Sequence, residues 1–135
     1  MALVVGYFEY TDTTNNDEGI LSGFWSEPAI TANATIDLQN MQAIIDTVEN
    51  YLGSPYIWGN YTIVVMPPVF PMGAMENPLL SMISATTITG SDSIPQQAAL
   101  VHSCAHMWLG NQVTMNNWED FWLNEGFAVF VERHV

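Results

Sequence analysis

The chain has 135 residues, a formal net charge of −13 at pH 7 and 49% apolar residues, with fourteen acidic side chains against one arginine and no lysine. That length suits a single domain, residues 1–135, able to bury roughly two thirds of the surface its unfolded form exposes, and so apolar a composition excludes a disordered tail. A surface this negative repels phosphate, which excludes nucleic acid and anionic membranes as partners and favours cationic or amine-bearing ligands.

The elements follow from hydrophobic period and turn residues. Residues 3–10, rich in Val, Tyr and Phe, read as a strand, and the Asn- and Asp-rich residues 11–19 as a loop. Asp37 is placed to cap a helix whose apolar residues Leu38, Met41, Ile44, Ile45, Val48 and Leu52 share one face, ended by Gly53 and Pro55. Residues 61–66 form a β-branched strand stopped by Pro67 and Pro68. Residues 71–78 are bounded by Pro and Gly and are extended, and 80–89 read as a further strand. Residues 91–95, with capping hydroxyls and Pro95, open a helix over 96–109 that Gly110 ends, and Asn117 with Asp120 caps a last helix over 118–134.

The lone cysteine, Cys104, precludes an internal disulfide and suits a reducing compartment. The start lacks the basic and apolar regions of a signal peptide, and no apolar run reaches the ~18 residues of a membrane span, so a cytoplasmic protein is expected. The lack of lysine points to an excised or redesigned segment.

Chemistry concentrates on the two C-terminal helices. His102 and His106 are four residues apart, so their rings leave one helix face a turn apart and can share a zinc ion; alone, such a pair can equally be two surface histidines. Glu125, nineteen residues after His106, adds a carboxylate among Trp122, Leu123 and Phe127. Two imidazoles and one carboxylate leave a fourth metal position open, as a catalytic rather than a structural zinc site requires. Glu132, seven residues on, can accept from a ligand histidine, or can be a surface charge beside Arg133.

These residues carry a family likeness. Val101-His102-Ser103-Cys104-Ala105-His106-Met107-Trp108-Leu109-Gly110-Asn111, followed by Trp122-Leu123-Asn124-Glu125-Gly126-Phe127, resembles the gluzincin aminopeptidases, the group of aminopeptidase N, aminopeptidase B and leukotriene hydrolase. Gly73-Ala74-Met75-Glu76-Asn77 resembles their exopeptidase motif. The resemblance implies an α+β, thermolysin-like catalytic subdomain with a small sheet beside the metal-bearing helices. It implies one Zn²⁺ on His102, His106 and Glu125, and Gly73, Ala74, Met75, Glu76 and Asn77 along the substrate cleft, with Glu76 holding the free α-amino group.

The departure is at Ser103. The family pattern H-E-x-x-H has there a glutamate that takes the proton of the zinc-bound water, and a hydroxyl is too weak a base for that task near neutral pH. The family's transition-state tyrosine is also expected downstream of Glu125, where this chain has none. The first expectation is therefore an aminopeptidase-type zinc hydrolase with crippled turnover. The alternatives are a non-catalytic metal- or peptide-binding scaffold, and an engineered zinc mini-enzyme with a different hydrolytic activity. Missing neighbouring domains would leave apolar surface free for self-association. Cys104, about 200° around the helix from His102, is expected to be a core thiol, and His134 a terminal histidine.

Overall fold

The computed structural model describes residues 2–14 and 20–135. Five strands, β1 (Glu9–Asp12), β2 (Leu21–Ser26), β3 (Asn60–Met66), β4 (Ala74–Met75) and β5 (Ser81–Ser84), form one sheet in the order β1-β2-β3-β5-β4. The inner pairs β2–β3 and β3–β5 are parallel, and the edge pairs β1–β2 and β4–β5 are antiparallel. Parallel neighbours need a long crossover. The one between β2 and β3 contains α1 (Thr31–Leu38) and α2 (Met41–Leu52). The helices α3 (Ile94–Ala105) and α4 (Trp122–His134) follow the sheet, giving a small mixed α/β domain.

Side-chain alternation decides which sheet face the helices cover. Tyr61, Ile63 and Val65 of β3 join Phe24 and Ile83 in a core shared with Leu38, Ile45, Val48, Leu100 and Cys104. Met41, Ile44, Ile45 and Val48 make the buried stripe of α2, and Gly53 ends that helix at φ 64°, its N–H donating to the Glu49 carbonyl.

Several boundaries differ from the sequence reading. The first strand is residues 9–12 rather than 3–10, because its partner Ser26 meets Glu9 and the sheet offers nothing beyond; Leu3, Val5 and Tyr7 are exposed. Thr11 and Asp12 are therefore strand, and residues 15–19 of the expected loop lie outside the described residues. The strand expected over 80–89 stops at Ser84, whose Oγ accepts the Thr86 N–H and starts a 3-10 turn. The third helix ends at Ala105 instead of 109. The last begins as a 3-10 turn at Trp118–Asp120, and the Asn117 side chain caps nothing.

Asp37 is the main correction. It is not an N-cap; it is fully buried in the last turn of α1, which the sequence reading missed, and the chain breaks before α2 begins at Met41. Its Oδ2 accepts the N–H groups of Thr89 and Gly90, both at 2.7 Å, and its Oδ1 those of Ser91 and Asp92, both at 2.9 Å. Burial pushes this carboxyl's pKa up, but the N–H groups of Asp92, Gly90 and Thr89 and the Gln96 side chain outweigh burial and hold it below the ordinary carboxylate value. One acidic side chain thus fastens α1 to the segment that launches α3.

Candidate metal centre

α3 delivers His102 from its last turn and His106 from the C-cap position just after it. His102 and His106 face one another with Nε2 atoms 3.1 Å apart and ring planes at 79°. α4 enters from the side and places Glu125 in its first turn, where the helix dipole favours an anion. Its carboxylate oxygens lie 3.4 Å from His102 Nε2 and 3.6 Å from His106 Nε2. His106 is buried, His102 partly so, and Glu125 is the most open of the three.

The far nitrogens set the chemistry of the near ones. His102 Nδ1 is 3.0 Å from Glu132 Oε2, and His106 Nδ1 is 3.0 Å from the Leu109 carbonyl. Both partners accept only, so each neutral ring carries its proton on Nδ1 and turns a bare Nε2 lone pair inward. Two lone pairs and a carboxylate then converge with no proton among them, which is unfavourable unless a cation sits there. A tetrahedral ion with ligands at about 2.0–2.1 Å spaces its donors roughly 3.3–3.4 Å apart, close to the three separations seen. Among the described residues, His102, His106 and Glu125 form the one group of three such donors able to hold a metal ion.

The sequence that follows α3 explains why the histidines stay put. Leu109 N–H donates to the Ala105 carbonyl, and Gly110 at φ 132° turns the chain back under the His106 ring. A β-carbon at Gly110 would sit 3.3 Å from His106 Nδ1 and 3.2 Å from Asn124 Nδ2, so glycine serves both the backbone angle and the close approach. Trp58 Nε1 donates to the Met107 carbonyl at 3.0 Å, and Trp108 Nε1 to the Ser54 carbonyl at 3.0 Å, tying the helix end to the loop after α2.

Beside His102 opens a cleft of about 380 Å³, walled by Gly73, Ala74, Ala99, Leu100, Ser103 and Glu132. Ser103 is therefore at the cleft but almost fully buried. Met75, Glu76 and Asn77 do not line it. Met75 pairs with Met82 across the sheet edge, and the main-chain carbonyl of Glu76 accepts from Asn111 Nδ2 at 2.7 Å.

The Peptidase family M1 domain model matches residues 36–135. The chain belongs to that family. It is 35% identical to leukotriene A-4 hydrolase of Xenopus laevis over 135 residues, which is 100% of this chain and 21% of that protein. It is likewise 35% identical to aminopeptidase B of Rattus norvegicus over 136 residues, 100% of this chain and 20% of that one. Among solved structures, yeast LTA4 hydrolase in complex with bestatin superposes with a TM-score of 0.84 at 30% identity, covering 95% of this chain and 19% of that one. The native yeast enzyme gives 0.82 at 30% identity over 93% and 19%. This M1 chain thus spans about a fifth of the length of these relatives.

The remaining candidates of the M1 domain sort by environment. Cys104 is wholly in the core, and burial, followed by the charge of Glu49, pushes its thiol pKa far up, so it is inert at neutral pH. His134 is exposed, with Nδ1 on the Phe130 carbonyl at 2.7 Å, and lies apart from the histidine pair. Glu132 meets both readings at once: one oxygen is on His102 and the other 3.4 Å from Arg133 Nε. The Leu109 carbonyl and Asn111 had no functional role in the sequence reading, and Asp37 had only that of a helix cap. A glycine and an asparagine just past a helix were the only local signal for the first two.

Proposed function

We propose that this M1 domain is an aminopeptidase-type, thermolysin-like zinc hydrolase segment whose peptide turnover is suppressed by Ser103 in the general-base position. The observation that carries this reading is the convergence of the Glu125 carboxylate and two imidazoles, each with Nδ1 on an acceptor, on one point, with Ser103 next to His102 on the wall of the adjoining cleft. His102, His106 and Glu125 would hold one Zn²⁺. When bound there, zinc supplies a Lewis acid and lowers the pKa of a coordinated water towards ~7.

The protein's own groups do the rest. Glu132 and the Leu109 carbonyl keep both imidazole protons on Nδ1, so the ligand nitrogens remain available. Glu76, one residue past the short strand whose Ala74 lines the cleft, would pair with the ammonium of a peptide N-terminus and fix how far the first peptide bond extends past it. The Ser103 hydroxyl can donate a hydrogen bond in the cleft but cannot take up a proton near neutral pH. Hydrolysis should therefore lack the roughly 10²–10⁴-fold assistance of a positioned base. The exposed Trp118, Trp122, Phe127 and Phe130 would favour self-association.

The test is Ser103→Glu. Zinc content and hydrolysis of an aminoacyl anilide are measured for both chains, with His106→Ala as control. Zinc binding by both, with turnover raised about 10²–10⁴-fold in the variant, is the expected result. If the variant binds zinc and gains nothing, the suppressed-enzyme reading fails and a non-catalytic peptide-end binder is favoured. If His106→Ala binds zinc as well as the parent does, the metal site itself is wrong.

A further inference from the structure

The loop that leaves α3 touches both halves of the site within three residues. Leu109 gives its carbonyl to His106 Nδ1 at 3.0 Å, and Asn111, two residues later, gives its side-chain N–H to the Glu76 carbonyl at 2.7 Å. Asn111 is itself anchored at the same helix end. Its backbone N–H donates to the His106 carbonyl at 3.0 Å, and its Nδ2 also approaches Met107 Sδ at 3.6 Å. A hydrogen bond to Glu76 therefore originates from a residue bonded directly to the backbone of a candidate metal ligand.

The strand edge needs this tie. β4 has only two residues, Ala74 and Met75, so its ladder ends one residue before Glu76. Past the ladder, the Asn77 carbonyl bonds forward to the Leu80 N–H in a turn, which holds the turn closed and does not fix it against α3. The Asn111 bond supplies that link between the Glu76 backbone and the metal helix, across 35 residues of sequence.

We infer that Asn111 is a positioning residue, setting the distance between the group that recognises the peptide amine and the metal ligands, and so determines preference for a free N-terminus. This rests on the reading of Glu76 as the amine's partner. Asparagine suits the role because its amide donates to a carbonyl while adding no charge beside Glu76. An aspartate of the same shape would oppose that carbonyl with another acceptor.

The experiment compares the parent, Asn111→Ala and Asn111→Asp. Calorimetry measures binding of alanyl-alanine amide and of its N-acetylated form to each zinc-loaded chain, and a separate titration measures zinc affinity. The expected result is a free-amine affinity about five- to tenfold lower in both variants, in line with the loss of one partly buried hydrogen bond. Binding of the acetylated ligand and of zinc should change less than twofold, and Asn111→Asp should be at least as damaging as Asn111→Ala. An unchanged ratio of free to acetylated affinity, or a parallel loss of zinc and both ligands, overturns the positioning role. So does Asn111→Asp binding like the parent, because that would mean shape rather than the donated hydrogen matters. If the parent itself does not prefer the free amine, the assignment of Glu76 fails before that of Asn111.

Discussion

The two helices that build the site are held in opposite ways. α3 is embedded, with Leu100, Val101, Ser103, Cys104 and Ala105 buried. Both of its ends are fastened: the start by the four N–H bonds to Asp37, the end by the indoles of Trp58 and Trp108. α4 buries only Ala128 and Val131 and leaves Trp122, Phe127 and Phe130 about half or more exposed. Its links at the site are Glu132 on His102 and Glu125 beside both histidines. The imidazole half is thus preorganised by the fold, whereas the carboxylate half takes its position partly from the site. With so few buried side chains, α4 is expected at the low-stability end of the structure, where an ion on Glu125 would have the most to add.

The largest effect that would break this contrast is at Asp37. Asp37→Ala leaves four backbone N–H groups without their acceptor and should lower the unfolding free energy by about 2–3 kcal/mol, read from urea melts. Hydrogen exchange should show α3 loosened more than α4. The pH dependence has a definite sign. Because the folded pKa is lowered, the carboxylate's contribution is present above the unfolded value of about 3.9 and is lost as pH falls through the folded value. Acid titration below about pH 4 should therefore destabilise the parent more steeply than Asp37→Asn. Parallel acid curves would show that the knot contributes nothing.

A smaller effect sharpens the other half. Glu132→Ala removes the acceptor of His102 Nδ1–H and should weaken zinc binding by about 10–100-fold, measured against a competing chelator. The fold should survive, since Ala128 and Val131 still pack. Zinc affinity equal to the parent's would mean that α4 is placed by packing alone. The smallest effect is on the exposed face. Trp122→Ser should change stability by no more than about 0.5 kcal/mol while shifting light scattering towards a monomer. A stability loss of several kcal/mol would instead reveal that this face is already engaged.

What could be read from the sequence divides along the same line between local and distant causes. The His102–His106 interval obliges two rings on one helix to meet, and the Gly53 stop needs only a left-handed residue after an amphipathic run, so both were legible. Glu125 was legible through the resemblance of its neighbours rather than through any period. β2 was missed because Leu21–Ser26 mixes Ser and Gly with its aromatics, and Gly23 is explained only by its partner strand, where a β-carbon would run into the Tyr10 ring and hydroxyl and lie 2.8 Å from the Thr11 carbonyl. α1 was missed because it has no side-chain cap and a weakly apolar sequence. Asp37 was misread for a related reason. An acidic residue ahead of an apolar period looks like a cap, and nothing local reveals that its acceptors serve amides more than fifty positions away.

That distance also sets an order of events on the ribosome. Synthesis runs from the N-terminus, so Asp37 emerges first and its four amide partners at 89–92 next, ahead of His102. The seat of the imidazole helix can therefore be complete before either ring leaves the exit tunnel. Glu125 and Glu132 follow both histidines in the chain, so the seat of the imidazoles does not wait for either carboxylate.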